Sequence, residues 1–135
     1  MKFYALTITM LLLPAFVVPA SAGPAQDLII KHFQAQAGAG VKFSADRGKA
    51  FFLAKHKGGK PKTPSCTVCH TRSPLNAGKT RAGKRIAPMA LSKTPDRFSE
   101  LKKVEKWFRR NCRSVLGREC TVSEKGDYLA FMTSQ

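Results

Sequence analysis

The pentapeptide Cys66-Thr67-Val68-Cys69-His70 has the spacing C-x-x-C-H, the attachment pattern of a covalently bound c-type haem. Two thiols at this spacing form thioether bonds to the haem vinyl groups. The adjacent imidazole binds one face of the iron and leaves the opposite face to be assigned. Alone, the pattern is shared with a redox dithiol and with half of a zinc site, so compartment and neighbouring ligands decide between them.

The amino terminus addresses the compartment. Lys2 precedes an apolar run from Phe3 to Val18, broken only by Thr7, Thr9 and Pro14, and then Ala20-Ser21-Ala22 fits a signal-peptidase site. The expected leader is therefore residues 1–22, with residues 23–135 as a single exported domain beginning at Gly23 and residing in the periplasm. The alternative is a retained anchor, which the shortness of the run and the lack of a following basic cluster disfavour. Haem attachment of the c type takes place outside the cytoplasm in bacteria, so it requires this export, whereas the dithiol and zinc readings do not predict it.

The remaining chain is roughly 110 residues, suited to one compact domain. The formal net charge of the whole chain is +16, and the basic surplus is spread from Lys49 to Lys125 instead of forming a tail. Such a field attracts acidic partners. Nucleic acid would suit the charge equally, but export and a covalent haem argue against it and favour an anionic redox partner or membrane surface. Arg81, Lys84 and Arg85 are candidates for contact with the haem propionates, or else form a solvated basic loop.

Outward from the pentapeptide, the pattern predicts a predominantly helical chain. Asp27 to Gln36 reads as a helix with Leu28, Ile29, His32 and Phe33 along one side, ended by Gly38 and Gly40. Ser44 is placed to cap a second helix carrying Phe51, Phe52 and Leu53, in which Gly48 permits close helix contact. A Lys, Gly and Pro-rich linker, Lys57 to Pro64, leads into the pentapeptide, and Thr71 to Thr94 lacks periodicity and reads as a long loop around the cofactor. From a cap at Ser99 to a stop at Gly117, Val104, Trp107, Phe108, Asn111 and Val115 share one helix face, opposite Lys102, Lys106, Arg109, Arg110 and Arg113. A carboxamide inside an apolar stripe should have a specific partner, because an unpartnered buried amide costs about 1–3 kcal/mol. Thr121-Val122-Ser123-Glu124 is a capping box opening a last helix with Tyr128, Leu129 and Met132 on its apolar side.

Cys112 and Cys120 are left over after haem attachment. In an exported chain an even remainder suggests a disulfide, here across the Gly117 turn and beside Asn111; two reduced core cysteines are the alternative. The open iron face has four possible occupants: Asn111, Met89 on its loop, a distant histidine (His32 or His56), or nothing. A methionine would make an ordinary electron carrier.

Several segments together are more specific than the pentapeptide. Arg47-Gly48-Lys49-Ala50-Phe51-Phe52, Gly83-Lys84-Arg85-Ile86-Ala87-Pro88-Met89, Thr94-Pro95-Asp96-Arg97-Phe98, Val104 to Cys112 and Gly117-Arg118-Glu119-Cys120-Thr121 resemble the sphaeroides haem protein family over nearly all of the expected mature chain. The resemblance implies an all-α, class I cytochrome c-like monohaem domain with a long haem-wrapping loop and an extra N-terminal helix. It implies one covalent haem c with Cys66 and Cys69 as thioether residues, His70 as proximal ligand, Asn111 as distal ligand of ferric haem, and a Cys112 to Cys120 disulfide. It further implies that the asparagine leaves on reduction, so that the ferrous form binds O2, NO or CO. Electrons are implied to come from a dihaem cytochrome c, with a membrane cytochrome b upstream. Met89 and Leu91 depart from the small apolar residues usual at their places. Met89 keeps the plain electron carrier as the alternative, and oxygen- or nitric-oxide-linked turnover has little support, since no acid/base histidine is evident beside the distal face.

Overall fold

The computed structural model describes residues 22–135; the expected leader lies outside the described residues except for Ala22. The described chain is all-α apart from one minimal hairpin. Helix α1 spans Pro24–Ala37, α2 Ala45–Leu53, α3 Thr67–His70, α4 Leu101–Leu116 and α5 Val122–Thr133, and the strands β1, Gly78–Lys79, and β2, Arg85–Ile86, lie between α3 and α4.

Local chemistry sets the ends of these helices. Pro24 opens α1, where its missing N–H is no loss, and the chain leaves the helix at Gly38 with φ of 90°. Ser44 caps α2, its hydroxyl accepting from the Arg47 N–H at 3.3 Å. Thr121 and Glu124 form the expected capping box at α5, and Gly117 ends α4 in the left-handed conformation, φ 73°. The expected cap of α4 is different. Glu100 occupies the N-cap position without a side-chain bond, while the Ser99 hydroxyl donates to the Asp96 carbonyl at 2.6 Å. Phe98, at φ 58°, reverses the chain just before, so Ser99 serves that turn and not the helix.

Helix α5 is the post around which the others pack. Phe33 of α1, Phe52 of α2, and Leu129 and Met132 of α5 are the large side chains with essentially no exposure. On α1 the buried pair is Ile29 and Phe33; Leu28, expected on the same side, faces outward at 67% exposure. Gly48 sits against the backbone of α5, where a Cβ would collide with the Asp127 carbonyl. The same contact is tied electrostatically. Arg47 donates to Asp127 through Nε at 2.8 Å and Nη2 at 2.9 Å, and the Ser44 N–H donates to the same carboxylate at 2.7 Å. On the other side, Lys125 reaches from α5 to Glu105 of α4 at 2.7 Å and lies 5.4 Å from the Phe33 ring centre, joining α1, α4 and α5.

The segment from Thr71 to Thr94 is not wholly irregular. Gly78 pairs with Ile86 and Lys79 with Arg85, forming an antiparallel hairpin inside the loop. Leu91 N–H donates to the Met132 carbonyl at 3.1 Å, which fastens the loop's far end to the last turn of α5.

Because the Gly48 contact is backbone to backbone, it has no flexible side chain to yield. Gly48→Ala should destabilise the protein by about 3 kcal/mol, seen as a fall in thermal midpoint of roughly 10 °C or more; an unchanged midpoint would show that α2 and α5 can separate freely.

Candidate functional site

The pentapeptide folds as a single helical turn at the wall of a cavity. Cys66 precedes α3 in a right-handed helical conformation, and its carbonyl accepts from the N–H groups of Cys69 at 3.3 Å and His70 at 3.1 Å. Thr71, at φ 62°, stops the turn after His70. Strand β1 presses on the motif from outside, and a Cβ at Gly78 would collide with the Cys69 carbonyl. The turn is thus held from both ends and from behind.

The cavity has a volume of about 650 Å³ and is bounded by α3, the hairpin, the loop through Arg97 and Phe98, the inner side of α4, and Tyr128 of α5. Cys66, Cys69 and His70 all line it. The two thiols are free. Burial pushes the Cys66 thiol up to about 11, opposite to the depressed value of a reactive redox dithiol. Burial, and secondarily the charge of Arg97, lowers His70 to about 4, leaving a neutral imidazole at pH 7. Its Nδ1 is buried without a hydrogen-bond partner. Cys112 and Cys120 bond to each other, with Cα atoms 5.5 Å apart, so the four cysteines do not form one zinc centre. Two free thiols and a neutral imidazole on one wall of a largely apolar cavity fit a thioether-bound haem with a histidine ligand, and the volume lies within the range of cofactor pockets.

The sixth-ligand candidates separate in space. Asn111 lines the cavity. It is exposed and not packed within the stripe, and its carboxamide has no hydrogen-bond partner among the described residues. The buried stripe of α4 is instead Val104, Phe108, Cys112, Val115 and Leu116, which turns Trp107 and Asn111 toward the cavity. The expectation that Asn111 is buried within the apolar stripe is therefore corrected: the amide escapes the desolvation penalty by standing at the cavity surface. Met89 is buried and also lines the cavity; its N–H and that of Ala90 donate to the Pro74 carbonyl at 2.8 and 2.9 Å. The histidines lie elsewhere, His32 against Gln36 on α1 and His56 bonded to the Phe51 carbonyl at 2.9 Å.

Among the expected propionate contacts, Lys84 and Arg85 line the cavity, whereas Arg81 is exposed at the hairpin turn and does not. Two lining residues had no role assigned from sequence. Arg97 donates from Nε and Nη2 to the carbonyls of Pro88 and Ala87, each at 2.6 Å. Tyr128 packs against Phe108 and Phe98, with burial pushing its phenol up. Sequence offered no signal for Arg97, which lies beyond the Thr71 to Thr94 loop expected to wrap the cofactor.

An all-α domain with a C-x-x-C-H turn on such a cavity defines a c-type haem protein of the class I cytochrome c kind. The chain belongs to the sphaeroides haem protein family: it is 53% identical over 120 residues to the cytochrome c-type protein SHP of Cereibacter sphaeroides, covering 87% of this chain and 90% of that protein. The family described as "Domain of unknown function (DUF1924)" matches residues 38–132. Cytochrome c″ of Methylophilus methylotrophus is 38% identical over 89 residues, 65% of this chain and 62% of that protein. Among solved structures, oxidised SHP, described as an oxygen-binding cytochrome c, matches with a TM-score of 0.78 at 51% identity, over 82% of this chain and 96% of that one. Oxidised cytochrome c″ matches with a TM-score of 0.65 at 31% identity, over 80% of this chain and 92% of that one. The cofactor is a single covalent haem c.

The Cys112 to Cys120 bridge closes a short loop, with a sequence separation of 8, between α4 and the cap of α5. Replacing both cysteines by serine should lower stability by about 2.5 kcal/mol in the loop-entropy model, measured by denaturant unfolding of the holoprotein; an equal midpoint for variant and parent would contradict it.

Proposed function

We propose that the protein is an exported, redox-gated binder of diatomic gas, in which Cys66 and Cys69 hold the haem, His70 is the proximal ligand and Asn111 is a displaceable distal ligand. When bound, the haem supplies a one-electron ferric/ferrous couple and a coordination position for a small molecule. The carrying observation is the Asn111 carboxamide, which lines the cavity and has no hydrogen-bond partner among the described residues. An amide oxygen is a hard, neutral, weak donor that suits Fe(III) better than Fe(II), so Asn111 holds the distal face in the oxidised state and withdraws on reduction. The face then accepts O2, NO or CO, beside Trp107 and Phe108. Two relatives support this: SHP is described as oxygen-binding, and the solution structure of cytochrome c″, 30% identical with a TM-score of 0.65, is described in terms of haem-ligand detachment. No catalytic turnover is assigned.

Export to the periplasm, with cleavage after Ala22, is supported by the leader-like sequence and by the disulfide, which persists in an oxidising compartment. The electron donor is read as an acidic partner such as a dihaem cytochrome c, itself supplied by a membrane cytochrome b. Lys102, Lys106, Arg109 and Arg113 support this reading: they lie within about 60° of one another around α4, extend along about 16 Å of its axis, and are all exposed.

Met89 also lines the cavity and favours a second reading, stable thioether ligation in an ordinary electron-transfer cytochrome. Against it, Met89 is tethered to Pro74, on the segment that follows His70. Absorption spectra separate the two. Asn111→Val should alter the ferric spectrum and leave the CO-bound ferrous spectrum as in the parent, while Met89→Leu should change neither. An unchanged ferric spectrum in Asn111→Val would remove the asparagine from the iron.

The charge reading has its own measurement. The rate of reduction by an acidic electron-transfer protein should fall severalfold as ionic strength rises from 0.01 to 0.15 M, as the Debye length shrinks from about 30 to 8 Å, and a salt-independent rate would oppose an acidic donor.

A further inference from the structure

Arg97 is a half-buried cation on the cavity wall without a carboxylate in ion-pair contact among the described residues. A guanidinium has five N–H donors, and the bonds to Ala87 and Pro88 occupy two of them. Those acceptors are neutral, and Asp96 acts on the charge only from beyond ion-pair distance, so no anion among the described residues meets the guanidinium directly. A partly desolvated cation in that condition is unfavourable unless an anion meets it.

The segment carrying Arg97 is held in place with unusual care. Gln26, buried on α1, donates to the carbonyls of Arg97 at 2.8 Å and Pro95 at 3.0 Å. The next residue, Phe98, adopts the left-handed backbone region at φ 58°, which a bulky side chain tolerates only where its surroundings impose it. These constraints fix one guanidinium at the wall that also carries His70 and Tyr128.

We propose that Arg97 binds a haem propionate and is the principal carboxylate site of the pocket, ahead of Arg81, Lys84 and Arg85. The inference rests on the cavity being the haem pocket. Its consequence is redox tuning. A fixed cation beside the haem favours the electron-rich ferrous form, and a propionate paired with it stays ionised across the neutral pH range. The other titratable or charged groups on the cavity are Cys66, Cys69, His70, Lys84, Arg85, Asp96, Glu100, Lys103 and Tyr128, and all are retained when Arg97 alone is replaced.

The test is spectroelectrochemical titration of the parent, Arg97→Gln and Arg97→Lys holoproteins between pH 5 and 8. Arg97→Gln should lower the ferrous-to-ferric ratio at a given potential at least tenfold at pH 7, about 59 mV for a one-electron couple. Its potential should also fall as pH rises, because protonating the freed propionate removes a negative charge and favours the ferrous form. The parent and Arg97→Lys should remain nearly flat with pH and within threefold of each other. An unchanged potential and pH profile in Arg97→Gln overturns the proposal and leaves Arg97 as a loop clamp. If Arg97→Gln retains no haem, Arg97→Lys decides alone: a parent-like titration upholds the charge role, and a tenfold shift rejects it. Failure of the haem reading itself is seen separately, as loss of haem from the parent on denaturing electrophoresis.

Discussion

The contact between Gly48 and the Asp127 carbonyl sets the distance between α2 and α5, and the rest of the structure depends on that distance. With no side chain at Gly48, the helices meet through their backbones, and the Asp127 carboxylate can at once bond Arg47 and the amide that opens α2. The contact also fixes the rotation of α5. Tyr128, the next residue, is thereby directed to the cavity, while Leu129 and Met132 enter the core. A domain of this size has little apolar material beyond what a haem brings, so the post must be set by close backbone approach and by paired charge.

From that post, α4 is positioned by two independent ties at its carboxyl end. The disulfide joins Cys112 to the residue preceding the α5 cap. The linker before the haem motif supplies the other: Lys60 N–H and Thr63 Oγ1 both donate to the Ser114 carbonyl, at 2.8 and 3.0 Å. Ser114 is near the helix end, where carbonyls lack intrahelical donors. The linker therefore satisfies an otherwise orphaned group and links the backbone just before Cys66 to the helix that carries Asn111. The haem-motif turn and the cavity face of α4 are thus referenced to each other through the chain itself.

Much of this was legible in sequence because it rests on local chemistry. The capping box at Thr121, the Ser44 cap and the Gly117 stop each depend on a few neighbouring residues, and each forms as read. The misreadings occur where distant segments decide. Ser99 had the right chemistry for a cap, but the reversal at Phe98 turned its hydroxyl to Asp96. Helical periodicity put Asn111 in an apolar stripe, yet the periodicity could not distinguish a core from a cavity, and both draw on the same face of α4. Arg97 was invisible for a related reason: its partners are carbonyls of Ala87 and Pro88, and backbone acceptors leave no signature in sequence.

The correction at Asn111 strengthens the switch. Had the carboxamide been held by a protein hydrogen bond, its departure from the iron would need either a broken bond or a moving helix. With no partner among the described residues, its side chain in the proposed switch has a single, weak attachment to exchange, that to the iron. The backbone beneath it is held by the neighbouring Cys112 bridge and the Ser114 ties, so the helix is poorly suited to follow. Ligand exchange then reduces to rotation of one short side chain, weakly bound by its own chemistry and set on a rigid support. A thioether at Met89 would reverse this logic, since a soft donor gains affinity on reduction. In the proposed switch, the opening of the distal face thus follows from the choice of an amide and from leaving that amide otherwise unbound.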